Sequence, residues 1–179
     1  MLQVQLMIGL PVLLPSGKRV GKVKDVWLDE FWSMAGVVLD NRVWFRKAVQ
    51  AVHMQDITTC GKDALLIRDR QAVVTMHKSR LLRSFLCGAV RLKDMPVFTL
   101  SGQLLGRVSD VYFKESQGTP LVGYELTDGF LADVLEGRRR LLMPDGPDHV
   151  TMGEDAIFVP ASYDRVLERD HTRNAESDR

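Results

Sequence analysis

The chain has 179 residues, of which 45% are hydrophobic and 26% charged, as is usual for a folded globular protein. Its formal net charge of +1 excludes a global attraction to nucleic acid or to an anionic membrane, so any such attraction must be local. The two cysteines, Cys60 and Cys87, exclude a disulfide framework and a Cys-X-X-Cys metal knuckle, and they fit a reducing cytoplasm.

The first segment, MLQVQLMIGLPVLLPSG, is apolar but lacks the marks of a targeting segment. Its first basic residue, Lys18, follows the apolar run, whereas a signal peptide carries basic residues before it. Gly9, Pro11 and Pro15 interrupt the run, which is too short to cross a bilayer as a helix. Residues 3–14 are predicted to form two short strands, and no transmembrane or export segment is expected.

An internal repeat dominates the rest of the chain. The segment SGKRVGKVKDVWLDE (16–30) returns as SGQLLGRVSDVYFKE (101–115). In the same order, MAGVVLD (34–40) matches LVGYELTD (121–128), and GKDALLI (61–67) matches GEDAIFV (153–159). Matches that keep their order across both halves indicate a duplicated domain of about 75 residues.

Each copy is predicted to be all-β. Ser-Gly between apolar segments is typical of a tight turn, and short runs rich in Val and aromatic residues follow it. The alternation of apolar residues breaks near Asp25 and again near Asp110, which indicates a bulge or bend at matched positions. Five or six short strands without a long helix favour a small barrel in each half.

These residues resemble the PRC-barrel family. The shared pattern runs PV, SG, GxVxDV, then a GxxL or GYEL strand, and finally G(K/E)DA before an apolar strand. The family includes the cytoplasmic part of the photosynthetic reaction-centre H subunit and the C-terminal half of the ribosome maturation factor RimM. The likeness covers residues 5–74 and 90–163 and lies in turn and core residues, so it implies a fold more than a function.

Both halves carry the barrel pattern, whereas RimM places a different β domain before a single barrel, and the membrane span of the reaction-centre subunit is not expected here. The likeness is therefore to tandem PRC-barrel proteins of bacteria. It implies a first barrel over residues 1–74, a basic linker over 75–89, a second barrel over 90–163 and a polar tail over 164–179, whose last ten residues are expected to be disordered.

No residue set points to catalysis, a cofactor or a metal. Asp25 and Asp110 recur once per barrel, which is not a paired acid and base, and the favoured interpretation is that each carboxylate accepts backbone amides at the bend. The four histidines lack zinc-ligand spacing and are predicted on the surface or in loops. Cys60 matches Met152 in the repeat, which favours a packing site, and Cys87 is expected to be buried.

The linker carries the clearest local charge. Residues 62–93 contain eight Lys or Arg and two Asp, so 8 − 2 = +6. Leu81, Leu82, Phe85 and Leu86 have the spacing of one helix face. Two interpretations stay open: a basic amphipathic helix that contacts anionic lipid or a partner, and a linker whose apolar face packs between the barrels. The second is favoured because the segment is short.

Two further basic groups precede apolar segments: Arg46 and Lys47 in the first copy, and Arg138, Arg139 and Arg140 in the second. If they enter equivalent strands, each barrel has a positive corner that suits phosphate or an acidic protein; a solvated strand end is the alternative. Trp27, Trp32 and Trp44 suit base stacking, but Trp27 matches Tyr112 within a strand, which favours core packing.

The sequence thus predicts a cytoplasmic, non-enzymatic binding module whose partner is another protein. An RNA-associated or ribosomal assembly factor like RimM, and a peripheral membrane protein, are the alternatives. The candidate partner-binding residues are Arg46, Lys47, Lys78, Arg80, Arg83, Arg138, Arg139 and Arg140.

Overall fold

The computed structural model describes residues 1–41, 47–115, 119–128, 139–143, 150–165 and 168–169. The chain divides into two compact units. The first contains Met1–Leu92 and Phe113–Pro120, and the second contains Lys93–Tyr112 and Leu121–Arg179. Each unit is built around one curled β-sheet.

Short strands make up the first half of the chain, together with one helical turn, α1 (Val4–Met7). The strands are β1 (Leu2–Gln3), β2 (Pro11–Leu13), β3 (Arg19–Leu28), β4 (Met34–Leu39), β5 (Ala48–His53), β6 (Ile57–Cys60), β7 (Leu65–Ile67), β8 (Val73–His77), β9 (Arg83–Ser84) and β10 (Val90–Arg91). Turns of 3-10 helix lie at Met54–Asp56, Arg70–Ala72 and Lys78–Arg80.

The second half repeats this series. Its strands are β11 (Pro96–Thr99), β12 (Leu104–Phe113), β13 (Leu121–Thr127), β14 (Arg139–Leu142), β15 (Thr151–Met152), β16 (Ile157–Val159) and β17 (Glu168–Arg169). A 3-10 turn lies at Ala161–Arg165.

The two sheets have the same strand order. Neighbouring strands run β6-β7-β2-β3-β4-β5-β8 in the first sheet and β15-β16-β11-β12-β13-β14-β17 in the second. In both sheets, the strand before the Ser-Gly turn pairs antiparallel with the strand that follows it and parallel with a strand from late in the repeat. In the first sheet β2 pairs with β3 and β7, and in the second β11 pairs with β12 and β16. The predicted all-β fold of two tandem barrels is confirmed.

The matched turn residues have matched backbone geometry. Gly17 and Gly102 have φ of 80° and 87°, which lies in the left-handed region that glycine adopts without a steric penalty. Each glycine amide closes its turn onto a carbonyl, from Gly17 to Leu14 and from Gly102 to Thr99, at 2.9 Å in both cases. The Ser-Gly signal in the sequence is therefore a real hairpin turn in each copy.

The predicted irregularity is present at Asp25, where the register between β3 and β4 shifts between Val23 and Asp25. The Asp25 carboxylate accepts the amide of Val26 at 2.8 Å, and the Asp110 carboxylate accepts the amide of Val111 at the same distance. Both aspartates are fully buried, so each carboxylate accepts a backbone amide inside its own unit, as predicted.

Packing of Trp27 explains why the first copy has glycine at position 36. A side chain there would place Cβ 2.4 Å from the Trp27 ring and 2.2 Å from the Val52 carbonyl oxygen, which is closer than packed atoms approach. Trp27 is buried in a cluster with Val38, Val49, Ala51 and Leu81. The prediction that Trp27 belongs to the core is confirmed.

Two local predictions need correction. Of the two strands predicted for residues 3–14, β2 is present, but Val4–Met7 form the helical turn α1, in which Val4 and Met7 are both buried. The segment 76–87 is not an α-helix: it continues β8, makes the 3-10 turn Lys78–Arg80 and enters β9. Beyond Pro160 the chain makes a 3-10 turn and then the short strand β17.

The predicted linker 75–89 contributes β9 and the end of β8 to the first sheet, and the first unit continues to Leu92. The predicted disordered tail lies outside the described residues. Within the described ranges, the helices are too short, or too polar, to cross a membrane.

Candidate functional site

The segment after β8 crosses one face of the first sheet, and residues 78–88 are called the strap here. It begins where Lys78 donates its amide to the Lys47 carbonyl at 2.8 Å, beside the pairing of Ala48 with His77. The His77 ring accepts the amide of Ser79 at 3.3 Å and so caps the 3-10 turn. The strap then enters β9, which pairs with Trp27 and Leu28 of β3.

Asp25 anchors the far end of the strap. Besides the amide of Val26, its carboxylate accepts the amides of Leu86 and Cys87 at 2.9 and 2.7 Å and the hydroxyl of Ser84 at 2.7 Å. These amides would donate to carbonyls four residues back in a helix. Because Asp25 takes them, the apolar helix-like spacing in the sequence does not produce a helix.

Ser84 completes this anchor. Its buried hydroxyl donates to Asp25 and accepts the amides of Cys87 and Gly88 at 2.9 and 2.6 Å. Within the described part of the chain, every buried side-chain N or O atom has a hydrogen-bond partner. The anchor is therefore a satisfied polar network, which fixes one conformation of the strap.

The inner side of the strap is apolar. Leu81 is only 3% exposed and packs against Trp27, Val38 and Ala51. Phe85 is equally buried, and its amide donates to the Val26 carbonyl at 2.9 Å. Leu81 and Phe85 are thus packed in the first unit, whereas packing of this segment between the barrels stays a prediction.

The outer side of the strap is basic with one large apolar residue. Lys78 and Arg80 are exposed, and Leu82 is 66% exposed. Residues 70–93 contain six Lys or Arg and no Asp or Glu. Of the predicted basic residues, Lys47 and Lys78 are brought together by the β5–β8 pair, which joins two groups that are 31 positions apart in the sequence.

The β3–β4 turn extends this surface at the end where β9 pairs. The Arg83 guanidinium lies 4.4 Å from the centroid of the Trp32 ring and donates to the Asp29 carbonyl at 3.2 Å. Trp32 has a φ of 60°, a strained conformation for a bulky residue. Phe31 beside it is 72% exposed. The Asp29 carboxylate accepts the amides of Phe31 and Ser33, both at 2.9 Å, and so holds the turn with Phe31 outward.

The pKa of the Cys87 thiol depends on the charges near the strap. Cys87 is exposed, so the prediction that it is buried was wrong. Partial burial raises the pKa of the Cys87 thiol, and the Asp25 carboxylate raises it further, whereas the positive charges of Lys24 and Lys78 lower it. Lys24 thus joins the strap cations, and the thiol is not an activated nucleophile.

Cys60 is half-buried at the end of β6. Burial raises the pKa of its thiol, and the negative charge of Glu115 acts in the same direction. Cys60 pairs with Leu65, just as Met152 pairs with Ile157 in the second sheet. This placement agrees with a packing role.

Arg139 and Arg140 of the second copy do not form an equivalent surface. Arg139 donates to the Leu105 carbonyl and forms a salt bridge with Asp128. Arg140 lies over the Tyr112 ring, and its Nε donates to the Tyr112 hydroxyl at 3.1 Å. Both are inside β14, whereas Lys47 precedes β5, so the two basic groups are not at matched positions.

Tyr112 belongs to a polar cluster. Its hydroxyl donates to Glu125 at 2.6 Å, and Ser109 donates to the other oxygen of that carboxylate at 3.3 Å. Burial raises the pKa of Tyr112 far above its usual value; the hydrogen bond to Glu125 and its charge add to this, and Arg140 lowers it.

Some predicted residues cannot be placed. Arg46, Arg138, Trp44, His149 and His171 lie outside the described residues. His53 and His77 end strands β5 and β8, and His53 contacts the edge of the Trp27 ring with centroids 5.3 Å apart. Over the ranges that the structure describes, no group of three or more His, Cys, Asp or Glu could hold a metal ion.

Three residues of this site were not predicted: Phe31, Leu82 as an outward residue, and Ser84. The unbroken helical spacing of residues 81–86 gives no signal for the Ser84 anchor. The exposure of Phe31 likewise has no signal in the residue pattern.

Two stretches of the chain, residues 2–73 and 88–166, match the family model of the PRC-barrel domain. No curated protein shows significant sequence similarity to the chain. The two matches span most of the chain and coincide with the two repeated sheets, so the chain belongs to the PRC-barrel domain family and carries the domain twice.

Proposed function

We propose that this tandem PRC-barrel protein is a non-catalytic docking module, and that the outer side of the strap binds an acidic surface of a partner protein during assembly or regulation. One observation carries the proposal: the strap, which hydrogen bonds fix over the first sheet, holds Lys78, Arg80 and Arg83 and no carboxylate. Such a surface suits an acidic partner because complementary potentials steer encounter and fix register.

The fixed conformation supports binding. Asp25 and Ser84 hold the strap from below, so little conformational entropy is lost when the outer side is covered. A preorganised surface binds more tightly than a flexible one with the same contacts.

The apolar residues favour a protein over RNA as the partner. Leu82 follows the exposed Lys78 and Arg80 in the strap, and Phe31 is exposed next to Trp32, over which Arg83 lies. Such large apolar residues within a polar rim are typical of protein-binding hot spots. Of the tryptophans that suit base stacking, Trp27 is buried and Trp32 has one face covered by Arg83.

Catalysis forms no part of the proposal. Asp25 is fully buried, and its carboxylate is occupied by the strap. We place the protein in the cytoplasm, where the two cysteines would remain thiols.

The test is affinity capture from native cells with the wild type and two charge-matched variants. The first variant, Lys78→Glu with Arg80→Glu, reverses the charge of two exposed strap residues. The control, Lys18→Glu with Lys62→Glu, makes the same change in net charge at other exposed positions of the first unit. We expect one reproducible protein partner that is lost from the strap variant and kept by the control, and whose purified form binds directly.

Equal capture by both variants would contradict the proposal. So would loss of the captured material after ribonuclease treatment, which would favour an RNA-associated role, or binding of the purified protein to vesicles of anionic lipid alone.

A further inference from the structure

A row of apolar side chains lies on the outer face of the second sheet. Phe158, Phe98 and Leu104 are direct neighbours on three adjacent strands, because Phe98 pairs with Phe158 of β16 and with Leu104 of β12. Their register places all three on one face. We call this row, together with Leu100 beyond the end of β11, the outer stripe.

The outer stripe is open to solvent. Leu100 is 68%, Leu104 53% and Phe158 37% exposed. The rings of Phe98 and Phe158 are stacked, with centroids 6.0 Å apart. Exposed apolar residues are common singly, but a contiguous row centred on two aromatic rings is typical of an interaction site.

The fold does not require this row. The equivalent positions of the first sheet hold Leu66, Leu13 and Arg19, because Leu13 pairs with Leu66 and with Arg19. Pro15 matches Leu100. One copy thus keeps a cation and a proline where the other has leucines, so the outer stripe is specific to the second barrel.

Charges of opposite sign lie on the two sides of the stripe. Arg107 on β12 pairs with Pro96, the first residue of β11, and is exposed. Glu154 and Asp155 are exposed in the turn that precedes β16. Because β11 and β16 run parallel, the acidic pair and the arginine lie at the same end of the stripe but on opposite sides of it.

This arrangement is complementary to itself. A two-fold axis parallel to β11 and above the outer stripe would place a second copy face to face with the first. Phe98 would then lie on Phe98 of the other copy, and Phe158 would lie over its Leu104. The same rotation keeps the end of the stripe but exchanges its sides, so Arg107 would face Glu154 and Asp155 of the second copy. Sheets that pack face to face keep their strands within about 30° of each other, which such an axis permits.

We propose that the outer stripe is an isologous interface through which the second barrel binds a second copy of this chain. A two-fold dimer is the commonest homo-oligomer and uses one patch on both subunits. The charge pattern favours a second copy of this chain as the partner, because the second copy supplies an acidic pair opposite Arg107 and an arginine opposite Glu154 and Asp155. The interface is separate from the strap and does not depend on the docking function.

The test is sedimentation velocity of the full chain over a wide concentration range. We expect a monomer–dimer equilibrium. Leu104→Ser or Phe158→Ser is expected to weaken the dimer at least about 30-fold, as for hot-spot residues, while the matched change Leu66→Ser in the first sheet leaves it unchanged. All three residues are partly exposed, so the variants should fold, which circular dichroism would verify.

A charge exchange sharpens the test. Arg107→Glu alone should weaken the dimer about tenfold or more. Adding Glu154→Arg and Asp155→Arg to it should restore association, because each copy then carries the complementary pair with reversed signs. A monomer at every concentration would overturn the proposal, as would a dimer whose dissociation constant is unchanged by Leu104→Ser and Phe158→Ser. Recovery of a different protein through the stripe, with the purified chain monomeric, would also overturn it.

Discussion

Matched positions on the sheet face under the strap hold apolar residues in the first barrel and polar ones in the second. Trp27 and Val38 of the first sheet correspond to Tyr112 and Glu125 of the second, and Ala51 corresponds to Arg140, because Val38 pairs with Ala51 as Glu125 pairs with Arg140. Leu81 covers the first set. Hydrogen bonds to the Tyr112 hydroxyl connect the second.

The difference separates what specifies the fold from what specifies the surface. The Ser-Gly turns and the order of the seven main strands are the same in both copies, and each aspartate accepts the amide that follows it. The side chains on this face differ, yet the seven strands pair in the same order. We infer that duplication preserved the backbone signals and left the faces free to acquire different roles.

The largest effect is expected from Asp25→Ala, which breaks the anchor between Asp25 and the strap of the first barrel. Buried donors that lose their acceptor cost about 1–3 kcal/mol each, so we expect the free energy of unfolding to fall by at least about 3 kcal/mol. Denaturant unfolding measures this loss. Hydrogen exchange should show the amides of Leu86 and Cys87 losing protection.

Asp110→Ala is the matched control for that measurement. It should destabilise the second barrel, since the Val111 amide loses its acceptor, but leave exchange at the strap amides unchanged. Full protection of these amides in the Asp25 variant would contradict the anchoring role.

A somewhat smaller effect is expected from Leu81→Ala, which uncovers the apolar face. Truncation of a buried leucine typically costs about 2–5 kcal/mol, whereas Leu82→Ala should change the free energy of unfolding by less than about 0.5 kcal/mol because that side chain is exposed. Equal effects of the two variants would contradict the packing of Leu81 against the first sheet.

The polar cluster of the second barrel predicts a dependence on alkaline pH. The pKa of Tyr112 is raised in the folded chain, so the unfolded chain loses this proton first. The stabilising contribution is complete below about pH 10 and is lost as the pH rises above it, so stability should decline there.

Tyr112→Phe should reduce the slope of that decline, although Tyr124, whose pKa burial also raises, retains its share. Glu125→Gln should lower the pKa of Tyr112, because the carboxylate charge that raises it is removed. The absorbance of tyrosinate measures this titration. An unchanged titration would contradict the hydrogen bond between the two side chains.

The smallest effect concerns the charges around Cys87. In a Cys60→Ser background, iodoacetamide should react with Cys87 chiefly at alkaline pH, because its pKa is raised. Lys78→Ala should slow the reaction at neutral pH about two- to threefold, the scale of an exposed charge interaction. A faster reaction would contradict the position of Lys78 beside the thiol.

The sequence predicted the architecture because turns and bends are local. Gly17 and Gly102 need positive φ, and Asp25 and Asp110 accept the next amide, so each leaves a residue signature. The barrel repeat and the core position of Trp27 follow from the same patterns.

The strap could not be predicted, because its conformation depends on contacts distant in the sequence. Asp25 and Ser84 are 59 positions apart, and the apolar spacing of Leu81 and Phe85 is also satisfied by a helix. The basic residues were recognised, but the convergence of Lys47 and Lys78 depends on the β5–β8 pairing. The partners of Arg139 and Arg140 likewise depend on strand pairing and not on sequence order.

The most direct test of the docking role is site-specific photo-crosslinking in native cells, with benzoylphenylalanine at position 82 and, as a control, at position 66. Both leucines are exposed on the first unit, but only Leu82 lies on the strap. The docking account predicts a discrete protein adduct from position 82 that disappears when Lys78 and Arg80 are reversed to glutamate. No adduct from position 82, or an identical adduct from both positions, would contradict it.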